Sequence, residues 1–145
     1  MKNIFDNPAG VPVPPPGRYS HVVRLELADS TILILSGQCA VDDGLNVVAP
    51  HDMRGQSERI FEIIGTILEA HGATFADVVN IRTYLTDMAR RAEYGEVRRK
   101  FLPADQLPTS TTVGVSALFL PEAVVEVEVM AVLPRSGERA CAPCG

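Results

Sequence analysis

Alternating apolar and polar residues near the end of the chain predict a β-strand from Val124 to Leu133. Every second residue from Val125 onward is apolar, and Glu126 and Glu128 stand between them. Because successive side chains of a strand point to opposite faces, the two carboxylates share one face about 7 Å apart. This face is either a solvated surface that keeps the strand soluble or a carboxylate site that can act as a base.

Four further runs that are rich in β-branched and apolar residues predict strands at Val22–Ala28, Thr31–Ser36, Asp77–Leu85 and Thr111–Ala117. Only Asp29 and Ser30 separate the first two, which predicts a hairpin. In the third, alternation places Val79 on the same face as Ile81.

Two amphipathic helices separate these strands. The first is predicted from an N-cap at Asp52 to His71, because its apolar residues recur at spacings of three and four. That stripe consists of Ile60, Phe61, Ile64, Ile67 and Leu68. The second runs from a cap at Asp87 to Leu102. The order β-β-α-β-α-β-β predicts an α+β domain with both helices on one face of a sheet.

The second helix also carries a basic cluster, which consists of Arg90, Arg91, Arg98, Arg99 and Lys100. A solvated helix face is the ordinary interpretation of such a cluster, and an anion-binding surface is the alternative. Across the whole chain the formal net charge is −5. This balance argues against a nucleic-acid or anionic-membrane binder that relies on bulk electrostatics.

The length of 145 residues and 46% hydrophobic content predict one globular domain, at residues 1–134. Residues 1–17 contain four closely spaced prolines and predict an extended lead-in, and residues 135–145 predict a disordered tail. No apolar run reaches the ~18 residues that span a bilayer, and the N-terminus lacks the apolar core of a secretory signal. We therefore expect a cytoplasmic protein.

The three cysteines predict reduced thiols, since an odd count does not fit a disulfide framework. Cys39 is isolated, and a buried, inert thiol is its ordinary state. Cys141 and Cys144 form a CAPC tail. Zinc or redox chemistry there would need a second ligand pair or a helix N-terminus, and the sequence shows neither.

Three separated segments resemble the Rid family, also called YjgF-like proteins, which are enamine and imine deaminases. They read GRYSHVV at 17–23, LILSGQ at 33–38 and PTSTTVGV…PEAVVEVEVMAV within 108–132, and DVVNIRTYLTD at 77–87 adds to them. The resemblance implies a six-stranded mixed sheet with two helices on one face. It also implies a chorismate-mutase-like homotrimeric barrel with active sites in clefts between subunits.

The resemblance further implies hydrolysis of small imines or enamines to a carbonyl compound and ammonia, with no metal and no organic cofactor. By position, Glu126 is implied to orient the attacking water and Tyr19 to be the active-site tyrosine. The implied substrate-binding residues are Gly37, Ser110, Thr111, Thr112 and His21. The chemistry is sound in itself, because an imine carbon is electrophilic and its attack by water needs orientation and modest base assistance.

Ser110 departs from the family pattern, since deaminases of the family carry an arginine there that pairs with the substrate carboxylate. A hydroxyl offers one neutral donor where a guanidinium offers a bidentate fork, so we expect much weaker binding of 2-imino acids. Arg18 and Arg82 are candidate replacements, although a surface role is the default for both. His21 replaces a common glutamine and suits proton transfer, or is a histidine satisfied within the structure.

These departures leave more than one function open. The leading interpretation is a divergent Rid-like hydrolase whose substrate recognition does not depend on an arginine–carboxylate pair. The alternative is a non-catalytic, trimeric protein that binds or senses a small ligand. RNA cleavage, an activity attributed to some relatives, conflicts with the acidic balance and lacks a paired acid–base motif.

Overall fold

The computed structural model describes residues 1–134, which form one six-stranded sheet and two α-helices. The strands are β1 (Lys2–Asp6), β2 (Val22–Glu26), β3 (Ser30–Leu35), β4 (Val78–Leu85), β5 (Thr109–Gly114) and β6 (Val125–Pro134). The helices are α1 (Met53–Ala70) and α2 (Arg91–Phe101). The predicted tail at 135–145, with Cys141 and Cys144, lies outside the described residues.

The sheet has the strand order β1-β2-β3-β6-β4-β5. The β4–β5 pair is parallel and every other neighbouring pair is antiparallel. One face of the sheet shares a hydrophobic core with both helices. The predicted α+β class and mixed sheet are therefore confirmed. Within residues 1–134, neither helix is both long and apolar enough to cross a membrane.

Helix α1 follows its predicted pattern closely. Asp52 caps it by accepting a hydrogen bond from the backbone N–H of Arg54, and His71 is the C-cap. All five residues of the predicted apolar stripe are fully buried. Burial of such a stripe against the sheet supplies most of the stability of a helix, because isolated helices of this length are marginal in water.

Strand β1 was not predicted, and it is the sixth strand of the sheet. It pairs antiparallel with β2 from Lys2 opposite Glu26 to Asp6 opposite Val22. The strand ends before the prolines begin, so their missing N–H donors do not interrupt its ladder. The predicted extended lead-in is thus a strand followed by a proline-containing segment.

Two predicted details are wrong. A bulge between Val78 and Asn80 shifts the register of β4 against β6, so Val78 is buried while Val79 is 42% exposed. A bulge adds one residue to one strand and so breaks the alternation on which the prediction depended. Asp87 caps a short 3₁₀ turn at Met88–Arg90, and α2 begins only at Arg91.

The second face of the sheet carries apolar side chains that nothing in residues 1–134 covers. Those that are substantially exposed are Phe5, Ile34, Val113 and Val132. Their positions in the strand register place them on the face opposite to the helices. Several exposed apolar side chains on one face are typical of a surface that is buried by association.

Candidate active site

A cavity of about 600 Å³ opens where the end of β3 meets β6 and the proline-containing segment. Its polar lining consists of Arg18, Tyr19, His21, Ser36, Gln38, Cys39 and Glu126. Its apolar wall includes Val41, Leu45, Phe119 and Leu120. A concave, mostly apolar site with a few convergent polar groups is the usual form of a small-molecule site.

Glu126 lies against Gly37, and the pairing between two chain segments explains why. The backbone of Gln38 exchanges hydrogen bonds of 2.8 and 3.1 Å with that of Val127, which brings Gly37 alongside β6. A Cβ added to Gly37 would overlap Oε1 of Glu126. Glycine is therefore required here for close approach of the carboxylate to the backbone.

Cys39 contacts the other oxygen of the same carboxylate. Its thiol donates a hydrogen bond to Oε2 of Glu126 at 3.5 Å. Burial, followed by the charge of Glu126 and this hydrogen bond, raises the pKa of Cys39 to about 12. The sulfur therefore stays a neutral donor at physiological pH, and it is not an activated nucleophile.

Tyr19 stands at the mouth of the cavity and is 48% exposed. Partial burial, followed by the neighbouring Cys39 and Glu126, raises the pKa of its phenol. The hydroxyl thus remains protonated and can donate a hydrogen bond to a ligand. Its ring packs edge-on against that of His21, with 5.9 Å between the ring centroids.

His21 lines the cavity but is only 4% exposed, and both of its ring nitrogens have hydrogen-bond partners. Nε2 lies 2.6 Å from the carbonyl oxygen of Pro12, and Nδ1 lies 3.2 Å from the side-chain nitrogen of Gln38. Since the amide nitrogen only donates, Nδ1 accepts and Nε2 carries the proton. This arrangement fits the structural role that the sequence left open for His21.

Ser110, Thr111 and Thr112 lie on β5, away from this cavity. Ser110 and Thr112 face α2, and Ser110 Oγ accepts a hydrogen bond of 2.7 Å from Arg98. Thr111 pairs in register with Arg82 on the opposite sheet face. Within one chain, therefore, Tyr19, His21, Gly37 and Glu126 come together, whereas the three β5 residues Ser110, Thr111 and Thr112 lie elsewhere.

The two glutamates of β6 have different partners. Glu128 accepts hydrogen bonds from Arg82 at 3.1 Å and from the Tyr84 hydroxyl at 3.2 Å. Arg82 is therefore occupied, whereas Arg18 lines the cavity. Glu126 has no cationic partner among the described residues.

Sequence reasoning missed the contribution of the β5–β6 connection to the cavity. Phe119 is 88% exposed and lines the opening beside Leu120. The signal was present, since three consecutive apolar residues at 118–120 stand in a turn before a proline. For residues 1–134, no three His, Cys, Asp or Glu side chains are grouped so that they could hold a metal ion.

A family model described as Endoribonuclease L-PSP matches residues 12–133. The chain belongs to this family. A RutC family protein of Saccharolobus solfataricus is 34% identical over 128 residues, which are 88% of this chain and 94% of that protein. A RutC family protein of Pyrococcus abyssi is 29% identical with the same coverage.

Solved structures agree with this assignment. The crystal structure of RidA from an Antarctic Psychrobacter is 27% identical, has a TM-score of 0.76, and covers 90% of this chain and 99% of that chain. A Rid family protein of unknown function from Yersinia pestis has a TM-score of 0.81 at 24% identity, with 91% and 100% covered. The resemblance to the Rid, or YjgF-like, family is confirmed.

Proposed function

We propose that this protein is a cofactor-independent hydrolase that deaminates a small imine or enamine, with Glu126 orienting and activating the attacking water. The observation that carries the proposal is the position of the Glu126 carboxylate. It lines a cavity of about 600 Å³, with Gly37 beneath one oxygen and the Cys39 thiol at the other. Membership of the family that includes RidA and RutC proteins supports the same class of reaction.

The reaction needs only groups that the cavity supplies. Glu126 accepts a proton from water while the water oxygen forms a bond to the C=N carbon, and it passes this proton to the imine nitrogen, which gives a carbinolamine. Glu126 then takes the hydroxyl proton of this intermediate and passes it to the nitrogen as the C–N bond breaks, so that a carbonyl compound and ammonia result. The Tyr19 hydroxyl donates a hydrogen bond to the substrate heteroatom. An enamine enters the same route after protonation at carbon.

The altered residue at position 110 favours a substrate that is not recognised through that position. The Ser110 hydroxyl is already bonded to Arg98 and offers no bidentate partner for a carboxylate. Arg18 is the guanidinium that lines the same cavity as Glu126. We infer that specificity differs from that of deaminases with an arginine at position 110.

A homotrimer is part of this proposal. Self-association would bury the exposed apolar residues on the sheet face that the helices do not cover, and this burial would favour the assembly. The implied inter-subunit clefts would also bring β5 of one chain near the cavity of a neighbour. Sedimentation or light scattering of the intact chain measures the assembly directly.

The decisive experiment generates imines in the assay itself with an amino-acid oxidase or dehydratase and follows the release of the carbonyl product. We expect Glu126→Gln to lower kcat by about 10²- to 10⁴-fold, which is the usual contribution of a general base. Glu128→Gln is the matched control, since it removes the same charge from the same face of β6. Equal turnover of Glu126→Gln and the wild type would remove Glu126 from the mechanism.

Ser110 is also the observation that favours the second candidate, a non-catalytic protein that binds a small ligand. Saturable binding without product, over a panel of imines, enamines and amides, would support this candidate, and turnover of any of them would exclude it. The description of the family model raises RNA cleavage as well. The net charge of −5 and the single carboxylate in the described cavity argue against it.

A further inference from the structure

The cavity that contains Glu126 has an apolar wall that the proposed chemistry does not use. Activation of water needs only the polar groups around Glu126, whereas the wall is lined by Val41, Leu45, Phe119 and Leu120. At about 600 Å³, the cavity has the size of sites that hold drug-sized ligands, which are several times larger than the simplest imines. The apolar wall therefore borders space for a large part of a ligand.

Leu45 has a backbone conformation that is unfavourable for leucine. Its φ is +62°, and in this left-handed region a Cβ lies too close to the backbone. The residue ends a tight turn in which its N–H donates to the carbonyl oxygen of Asp42 at 3.0 Å. Glycine or asparagine would suit this position better. The turn alone does not explain the leucine, and strain of this kind is typical of residues with a role in binding or catalysis.

Phe119 is also placed unfavourably. It borders the cavity, yet it is 88% exposed, which makes it the most exposed aromatic side chain of residues 1–134. An aromatic ring that stays in water does not gain the free energy that its burial would supply. Leu45 and Phe119 thus line the same cavity, the first at a cost in backbone strain and the second at a cost in exposure.

A buried amide fixes the two chain segments that carry these residues. Gln56 of α1 is fully buried, and its side-chain nitrogen donates to the carbonyl oxygens of Ala49 at 3.1 Å and Glu122 at 2.9 Å. Its side-chain oxygen accepts a hydrogen bond of 2.8 Å from the N–H of Val124. One contact holds the loop between β3 and α1, and the other two hold the β5–β6 connection. The apolar wall is therefore preformed, which lowers the entropic cost of binding a ligand.

We propose that Leu45 and Phe119 form a subsite for a large apolar substituent, aromatic or branched, on the substrate of Glu126. The inference rests on the proposed hydrolase function for the reacting C=N group, and on the apolar wall for the substituent. The substituent packs against Leu45 and Phe119 while the C=N carbon lies near the water at Glu126. Each methylene group that is buried in this way should raise kcat/KM by about fourfold.

Turnover of the imines of phenylalanine and of alanine, each generated by an amino-acid oxidase, measures this selectivity. Both substrates carry the same carboxylate, so any effect of Ser110 cancels in the ratio of their kcat/KM values. We expect the wild type to prefer the phenylalanine imine by at least about tenfold, because its ring is removed from water. Phe119→Ala and Leu45→Gly should each lower this ratio by at least about fivefold and leave kcat/KM for the alanine imine nearly unchanged.

Two comparisons separate a subsite from a structural role. Leu45→Gly relieves the backbone strain, so the variant should unfold at the same or a higher urea concentration than the wild type although it loses selectivity. Phe5→Ala is the matched control for Phe119→Ala, since it removes a ring that is 67% exposed and lies outside the cavity lining, and it should leave the ratio unchanged. An unchanged ratio in Phe119→Ala and Leu45→Gly would overturn the proposal. Equal losses for both substrates, with weaker self-association in light scattering, would instead make Phe119 an interface residue and overturn it as well.

Binding without turnover distinguishes failure of this inference from failure of the proposed hydrolase. Benzylacetone and acetone carry a carbonyl group in place of C=N and cannot be deaminated. In calorimetric titrations we expect the wild type to bind benzylacetone at least about tenfold more tightly than acetone, and Phe119→Ala to lose most of this preference. Retained preference without turnover of any imine would refute the hydrolase and support the subsite. Equal affinity for the two ketones would refute the subsite, whether or not imines are hydrolysed.

Discussion

Replacing Gly37 with alanine tests whether the position of the Glu126 carboxylate is what matters in the candidate active site. Gly37 is not among the residues with positive φ, so alanine can adopt its backbone without strain. The added Cβ would, however, overlap Oε1 of Glu126. The end of a glutamate side chain rotates more easily than a strand moves, so we expect the carboxylate to leave its position while the sheet stays intact.

The two measurable effects differ greatly in size. Overpacking by the alanine Cβ should lower the free energy of unfolding by about 1–3 kcal/mol. Replacing glycine also reduces the entropy of the unfolded chain, which should raise the free energy of unfolding by about 0.4–1 kcal/mol. The net decrease should therefore be only about 1 kcal/mol. Turnover should fall far more, by about 10²- to 10⁴-fold, because a displaced base no longer reaches the water. The Gly37→Ala variant should therefore be folded and nearly inactive.

A double-mutant cycle with Glu126→Ala completes the test. When the carboxylate is absent, Gly37→Ala has nothing to displace and should be neutral or stabilising by up to about 1 kcal/mol. We expect a coupling free energy of about 1–2 kcal/mol from urea unfolding of the four proteins. Full turnover of Gly37→Ala, or the same stability change in both backgrounds, would refute the reasoning.

Three further predictions follow from single residues. Because the pKa of Cys39 is raised to about 12, alkylation of its thiol at pH 8 should be slow. Glu126→Gln removes one cause of the raised pKa and should accelerate the alkylation, as measured by peptide mass spectrometry. Arg18→Ala should raise KM for anionic substrates more than for neutral ones, whereas equal changes would exclude an anchoring role. Burial lowers the pKa of His71 below 6.5, so the unfolded chain binds more protons and the free energy of unfolding should decrease as the pH falls below about 6.5. His71→Gln should flatten this dependence in urea titrations.

The helical part of the fold could be predicted because its signals are local. The stripe of α1 repeats every three to four residues, and Asp52 stands one residue before the first turn. Both signals are contained within the helix and survive whatever packs against it. The strand with Glu126 was predicted for the same reason, since apolar and polar residues alternate from Val125 to Val129.

The errors within the sheet come from features that involve two strands at once. The bulge of β4 depends on its pairing with β6 and leaves no mark in the alternation of the chain itself, so Val79 was assigned to the wrong face. Strand β1 is only five residues long, three of them are exposed, and its sequence KNIFD has no clear apolar period. Pairing with β2, which lies sixteen residues further along, is what makes it a strand.

The site was predicted in part, and only through resemblance. Tyr19 and Glu126 are more than a hundred residues apart, and no local pattern connects them. The bridge between Gln38 and Val127 brings the segment after β3 to β6. Hydrogen bonds from Ser36 to the carbonyl groups of Ser20 and His21 join the Tyr19 segment to it. The direction of Ser110 was also beyond prediction, since β5 is an edge strand whose side chains are oriented by its parallel pairing with β4.

The contrast between Glu126 and Glu128 shows how neighbouring strands decide the chemistry of equivalent residues. Both carboxylates lie on the same face of β6, two residues apart. Strand β4 places the Arg82 guanidinium and the Tyr84 hydroxyl against Glu128, where both donate hydrogen bonds to Oε1. The end of β3 gives Glu126 only the neutral thiol of Cys39 and the open surface of Gly37. Among the described residues, one oxygen of Glu126 therefore receives no side-chain hydrogen bond, and it is this oxygen that accepts a proton from water in the proposed mechanism.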